Sequence, residues 1–112
     1  MEIENITLKE LIQIIESLDD EHIQISDYYK TYEFMLFNNI TVYDAKAFIR
    51  NLNENDYVGG PISDDNPKRK YPVWVFKKEG FGFLCYIKVK LINQGRVLIV
   101  ISFHEDEKGK KH

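Results

Sequence analysis

The stretch that decides the fold is VWVFKKEGFGFLCYIKVKLINQGRVLIVISFHE, Val73 to Glu105. It contains three runs that are rich in β-branched and aromatic residues, separated by Glu79-Gly80 and by Asn93-Gln94-Gly95. Short turns that contain Gly between such runs are typical of neighbouring antiparallel strands. We therefore expect an antiparallel sheet of three strands, or slightly more, over residues 73–105.

Helical patterns precede the strands, over about residues 7–52. In TLKELIQIIESLDD, Glu10 follows Thr7 by three residues, which is the spacing of a capping box. SDYYKTYEFMLFNN is a second helical pattern, and TVYDAKAFIRNL is a third, in which Thr41 and Asp44 repeat the capping-box spacing. Between the first two patterns, EHIQIS alternates and predicts a strand fragment or an extended link. Helices followed by a run of antiparallel strands indicate an α+β fold with the N-terminal helices packed on one face of the sheet.

Length and composition restrict the class of protein. The chain has 112 residues, of which 44% are apolar, so we expect a single domain, residues 1–112, with one core. No apolar run approaches the roughly 20 residues that a membrane-spanning helix needs, and the N-terminus has no signal region. The single cysteine, Cys85, has no partner for an internal disulfide. These features predict a cytoplasmic protein without a membrane association.

A long loop is predicted over residues 53–72, because this stretch is rich in Gly, Pro, Asn and Asp. Loops of this length are often functional. The charge changes sign within it: residues 1–65 hold 4 Lys/Arg and 14 Asp/Glu, a net −10, whereas residues 66–112 hold 11 Lys/Arg and 4 Asp/Glu, a net +7. Either the basic half meets an anionic partner, or the two halves neutralise each other in the fold.

Alternation along the last two strands assigns side chains to faces. In the second strand of the meander, the set predicted to face the helices is Phe83, Cys85, Ile87, Val89 and Leu91. In the last strand, the corresponding set is Val97, Ile99, Ile101 and Phe103. His104 would then lie on the other face, on the same side as Tyr86, Lys88 and Lys90.

A histidine beside a tyrosine and lysines could cleave RNA through the ribose 2′-hydroxyl. That reaction needs a base, an acid and cations for the phosphate, but it requires no metal. We therefore take His104, Tyr86 and Lys88 as candidate catalytic residues. The candidate RNA-binding residues are Lys68, Arg69, Lys70 and Lys90. Each has a simpler interpretation: a histidine at a strand end is commonly a surface residue, a tyrosine commonly packs, and lysines are commonly solvated.

Other chemistries lack their motifs. VGGP is followed by acidic residues and has no Lys-Ser/Thr, so it is not a phosphate-binding loop. The three histidines and one cysteine do not have zinc spacing, and no serine has a nucleophile-elbow context. We expect neither a metal nor a cofactor.

Four motifs follow one another in order: ITVYDAKAFIRNLNENDYVGGPISDD, VWVF, YIKVK and VISFHED. With them, the chain from about Ile40 to Asp106 resembles the MqsR-family toxins of bacterial type II toxin–antitoxin systems. The resemblance implies a RelE-like α+β fold and ribosome-independent cleavage of messenger RNA. It also implies that the protein partner is a cognate antitoxin.

The resemblance also assigns site residues. Tyr86 stands at the position of the family's active-site tyrosine, and Trp74 matches a tryptophan that we expect to contact RNA. His104 stands where the best-known branch carries a functional lysine. Val75 occupies the position of that branch's glutamine, and Gly59 approximately that of its loop lysine. Two functions therefore stay open: a toxin-type endoribonuclease that cleaves single-stranded RNA, and a non-catalytic binding or regulatory protein of the same fold, including one carried by a phage or prophage.

Overall fold

The computed structural model describes residues 6–62 and 71–107. That part of the chain contains three α-helices and a five-stranded sheet. The helices are α1 (Leu8–Ser17), α2 (Tyr29–Phe37) and α3 (Val42–Arg50). The strands are β1 (Ile23–Ile25), β2 (Tyr57–Ile62), β3 (Val73–Gly80), β4 (Phe83–Ile92) and β5 (Val97–Glu105). The predicted α+β class is confirmed.

Both predicted capping boxes are present. At the start of α1, the Glu10 N–H donates to Thr7 Oγ1 at 3.1 Å and the Thr7 N–H donates to Glu10 Oε1 at 2.8 Å. At the start of α3, the Asp44 N–H donates to Thr41 Oγ1 at 3.0 Å, and the reciprocal bond is 3.2 Å long. These bonds satisfy backbone donors that have no partner within the helix, so each cap defines where its helix begins.

The strand order is β1-β5-β4-β3-β2, and the sheet is mixed rather than purely antiparallel. β3 pairs antiparallel with both β2 and β4, and β4 pairs antiparallel with β5. The exception is β1, which pairs parallel to β5 over three residues, from Ile23 opposite Leu98 to Ile25 opposite Val100. The sequence did not predict this pairing, because so short a strand carries little signal and its partner is distant in the chain.

The prediction of one continuous loop over residues 53–72 is wrong for its first half. Residues 57–62 form β2, an edge strand with two register shifts against β3. Gly and Pro suggested a loop, but an edge strand tolerates both. Gly60 has φ +108°, and a Cβ there would lie 2.5 Å from the Val73 carbonyl oxygen, so this close approach requires glycine.

The core lies between the helices and one face of the sheet. Leu11 and Ile15 of α1 and Ile49 of α3 are fully buried in it. On β5, the Phe103 ring lies 5.3 Å from the Phe34 ring of α2 and 5.8 Å from the Phe48 ring of α3. All three helices therefore pack on the face of the sheet that Phe103 occupies.

The side chains of β5 do not alternate regularly, which corrects part of the predicted core. Lys88 pairs with Ser102 but Val89 pairs with Val100, so Ile101 is an extra residue in a β-bulge. The bulge reverses the phase of the strand. Before it, Leu98 and Val100 are fully buried toward the helices, whereas Val97, Ile99 and Ile101, which were predicted to be core, are only half-buried. After it, Phe103 faces the helices and His104 the opposite side, as predicted.

The longest α-helix among residues 6–62 and 71–107 has 10 residues, and no helix there is long and apolar enough to cross a membrane.

Candidate functional site

Tyr86 and His104 are direct cross-strand partners on β4 and β5. Their rings are stacked, with centroids 5.5 Å apart and planes inclined by 25°. They lie on the side of the sheet opposite the helices, together with three lysines of β3 and β4. We call this surface the lysine face and define it by Lys77, Tyr86, Lys88, Lys90 and His104. The three predicted catalytic residues thus share one face.

The hydrogen bond made by His104 defines the tautomer of its ring. Nδ1 lies 2.9 Å from the carbonyl oxygen of Glu105. A carbonyl oxygen can only accept, so Nδ1 carries the hydrogen in this contact. In the neutral imidazole, Nε2 then has the lone pair and can accept a proton. This is the arrangement that a general base requires.

Lys88 and Lys90 lie at increasing distances from the stacked rings. Lys88 is opposite Ser102, two cross-strand rows away from the row that holds Tyr86 and His104. Two residues along a strand span roughly 7 Å and four span roughly 13 Å. A lysine side chain reaches across the first distance more readily than the second. Lys88 is therefore the better placed of the two to reach a group bound at the rings, whereas Lys90, opposite Ile99, lies farther along the strand.

Lys77 was not among the predicted site residues, but it pairs with Tyr86 from the β3 side. Its Nζ lies 3.0 Å from Oδ2 of Asp106, a carboxylate that is 4% exposed. The ion pair holds the ammonium group in the same row as Tyr86 and His104. Alternation along β3 carried the signal, because Phe76 faces the core and its neighbour Lys77 must then face outward.

Tyr28, which precedes α2, also lies close to His104. No sequence motif indicated that these two residues would be neighbours. Its ring centroid is 6.0 Å from that of His104. The position follows from the edge of β5: the Ser26 N–H donates to the Val100 carbonyl and the Phe103 N–H donates to Thr31 Oγ1. These bonds dock the start of α2 against the strand end.

Trp74, which was predicted to contact RNA, lies on the face of the sheet opposite the lysine face. Trp74 is only 4% exposed and lies opposite Val89 on the helix-facing side of the sheet. Its ring packs in the core and is not available to stack on a base. The predicted loop contacts Lys68, Arg69 and Lys70 lie outside the described residues.

A surface groove of about 250 Å³ opens beside His104 at the junction of α2 with the end of β5. Its lining residues are Lys30, Glu33, Phe34, Phe37, Asn38, His104, Glu105 and Glu107. Three carboxylates outnumber the one lysine, and that lysine pairs with Glu107 at 2.9 Å. His104 thus borders both this groove and the lysine face.

Within residues 6–62 and 71–107, one group of side chains could offer ligand atoms to a cation. Asp19, Glu21 and His22 each have a ligand atom within 4.8 Å of the others. Their closeness follows from their position in and beside the single 3-10 turn Asp20–His22. Exposed acidic groups commonly lie this close without an ion, so we assign no metal to them.

Comparison with known proteins adds no relative to this description. No protein-family model, no curated protein and no solved structure matches the chain. The MqsR-family resemblance, the RelE-like topology and the nuclease activity therefore stay predictions.

Proposed function

We propose that the protein is a toxin-type endoribonuclease, a divergent RelE-like mRNA interferase similar to the MqsR family, that acts in the cytoplasm on single-stranded RNA. A cognate antitoxin protein would neutralise it. The observation that carries the proposal is the stacked cross-strand pair of Tyr86 and His104 on a face that also presents lysines. The motif resemblance supports it independently.

In the proposed reaction, Nε2 of His104 accepts the proton of the ribose 2′-hydroxyl. The 2′-oxygen forms a bond to phosphorus, and the bond from phosphorus to the 5′-oxygen breaks. The leaving 5′-oxygen takes a proton from the Tyr86 hydroxyl, which regains one from water, and His104 releases the proton that it accepted to water, so the products are a 2′,3′-cyclic phosphate and a 5′-hydroxyl. General acid–base assistance of this kind typically contributes about 10²–10⁴-fold to the rate.

Tyr86 and the lysines act on the phosphate. The Tyr86 hydroxyl donates a hydrogen bond to a phosphate oxygen and shares in the proton transfer. Lys88 stabilises the charge that accumulates on the equatorial oxygens in the transition state. Lys90 contacts the adjacent phosphate and so holds the register of the strand, without reading its sequence.

The test is cleavage of a single-stranded RNA by the purified protein in EDTA. We expect cleavage with 2′,3′-cyclic phosphate ends, and we expect His104→Ala to lose roughly 10²–10⁴-fold in rate. His22→Ala is the matched control, because it removes a histidine that is not on the lysine face, and it should keep the wild-type rate. Full activity of His104→Ala would remove the histidine from the mechanism.

In a second candidate function, the protein is a non-catalytic RelE-like binding or regulatory protein that acts through a protein partner. One version of this hypothesis is that a phage or prophage encodes it. Val75 and Gly59 favour it, because they replace the glutamine and the loop lysine of the best-known branch. Inducible expression separates the two functions. Growth arrest with cleaved RNA supports the nuclease, whereas harmless expression at high yield with intact RNA supports the binding protein.

A further inference from the structure

Helix α2 is apolar on its outer side as well as its inner side. Toward the core it buries Thr31 and Phe34. Its outer side carries four large apolar side chains whose exposed fractions are 61, 63, 55 and 74%: Tyr29, Tyr32, Leu36 and Phe37. We call this surface the α2 aromatic face. The spacing i, i+3, i+7 and i+8 places the four side chains on one side of the helix.

Helix α1 shows the usual arrangement. The outward side chains of α1 are polar: Lys9, Glu10, Gln13, Glu16 and Ser17 are exposed. A helix that is apolar all round is normally buried, and a contiguous exposed apolar patch commonly marks a protein interface. The α2 aromatic face is therefore the surface of the described residues that most resembles an interface.

Charge restricts what binds there. Glu33 is exposed, and helical spacing places it among the four apolar side chains. Lys30, the other charged residue of α2, is paired with Glu107. Glu33 lies at the middle of the helix, so a two-fold axis through this face would bring two Glu33 carboxylates together. The occupant therefore carries positive charge, which disfavours a second copy of this chain.

The remaining stretches of this sequence do not have the required chemistry. Residues 1–5, MEIEN, combine two apolar side chains with two glutamates, the wrong charge. Residues 63–70, SDDNPKRK, and 108–112, KGKKH, are basic in part but have no large aliphatic, Phe, Tyr or Trp side chain. None of these three stretches therefore supplies an occupant that is both apolar and basic.

We propose that the α2 aromatic face docks an amphipathic helix of a second protein, with large apolar side chains on one side and Lys or Arg beside them. The apolar side chains cover Tyr29, Tyr32 and Leu36, and a cation meets Glu33. Recognition of an amphipathic helix by an apolar surface is a recurrent mode of protein binding. The inference does not depend on RNA cleavage and holds for either candidate function.

The probe is a synthetic amphipathic helix of about 14 residues, four turns long, built from Leu and Lys. Its binding to the purified protein is measured by fluorescence anisotropy, beside a matched peptide built from Leu and Glu. We expect saturable binding of the Leu/Lys peptide, at least roughly tenfold weaker binding of the Leu/Glu peptide, and a similar loss for Leu36→Gln. Glu33→Gln should weaken the Leu/Lys peptide severalfold.

Val58→Gln is the matched control, because Val58 is 52% exposed on the β2 edge strand and Leu36 is 55% exposed. It should leave the affinity unchanged. Phe37→Gln provides a second variant of the face, and thermal unfolding verifies that each variant is folded. Equal affinity of wild type and both face variants would overturn the proposal, as would equal binding of the two peptides. A wild-type dimer that Leu36→Gln dissociates in sedimentation would also overturn it, since the occupant would then be a second copy.

Discussion

The two faces of the sheet differ in what their side chains can do, although the same strands supply both faces. On the helix-covered face, Phe103 is fully buried between aromatic rings of α2 and α3. On the lysine face, its neighbour His104 stacks on Tyr86 and keeps a ring nitrogen for chemistry. Stability and the proposed activity thus depend on different residues only one position apart, so mutations can separate them.

The largest expected difference between the faces is in stability. Phe103→Ala should lower the free energy of unfolding by about 3–5 kcal/mol, from lost apolar transfer and the cavity that remains. Ser102→Ala, on the lysine face, should cost a small fraction of that. Urea denaturation of both variants measures the difference. Similar midpoints for the two would show that the faces are assigned the wrong way round.

Substitutions at the two neighbouring residues Leu98 and Ile99, which precede the bulge at Ile101, test whether the bulge is present. Leu98→Ala should cost about 2–5 kcal/mol, because Leu98 is fully buried in the core. Ile99→Ala should cost clearly less, because Ile99 is half-buried on the lysine face. Regular alternation without a bulge predicts the opposite order. Denaturant titration of this pair therefore decides between the two registers.

Alkaline pH should lower the free energy of unfolding through Cys85, which is buried on the helix-covered face. Burial disfavours the thiolate, with a smaller contribution from Glu105, and raises the pKa of the Cys85 thiol from 9.0 to about 11. Because the folded pKa is the higher one, this contribution to stability is complete below pH 9 and is lost as the pH rises toward 11. Wild type should lose on the order of 2 kcal/mol more than Cys85→Ala over that range. Parallel pH profiles of the two proteins would contradict the buried thiol.

The smallest effect concerns RNA binding by the lysine face. We expect log affinity for single-stranded RNA to fall with log salt with a slope of about −2 to −3, since few cations are present and each phosphate contact contributes about −0.7. The double variant Lys88→Ala/Lys90→Ala should flatten the slope by about 1.4 and weaken all RNA sequences alike. Lys9→Ala, on the exposed surface of α1, is the matched control. An unchanged slope in the double variant would exclude these lysines from binding.

Local patterns in the sequence determined a large part of this protein. The capping boxes at Thr7 and Thr41 define where two helices begin, because a cap depends on residues three positions apart. The alternation of β4 assigned its buried and outward side chains correctly, since β4 carries no extra residue. With the strand end at His104, this was enough to place Tyr86, Lys88 and His104 on one face. The α+β class also followed from the order of the patterns.

Only the tertiary structure decided the features that depend on distant partners. The parallel pairing of β1 with β5 joins residues that are distant in the chain, such as Ile23 and Leu98. The bulge at Ile101 is visible only against β4, because an extra residue in one strand is defined by the register of its neighbour. The same holds for the cross-strand pairing of Lys77 with Tyr86. Register is a property of two strands together, and a single strand's alternation does not contain it.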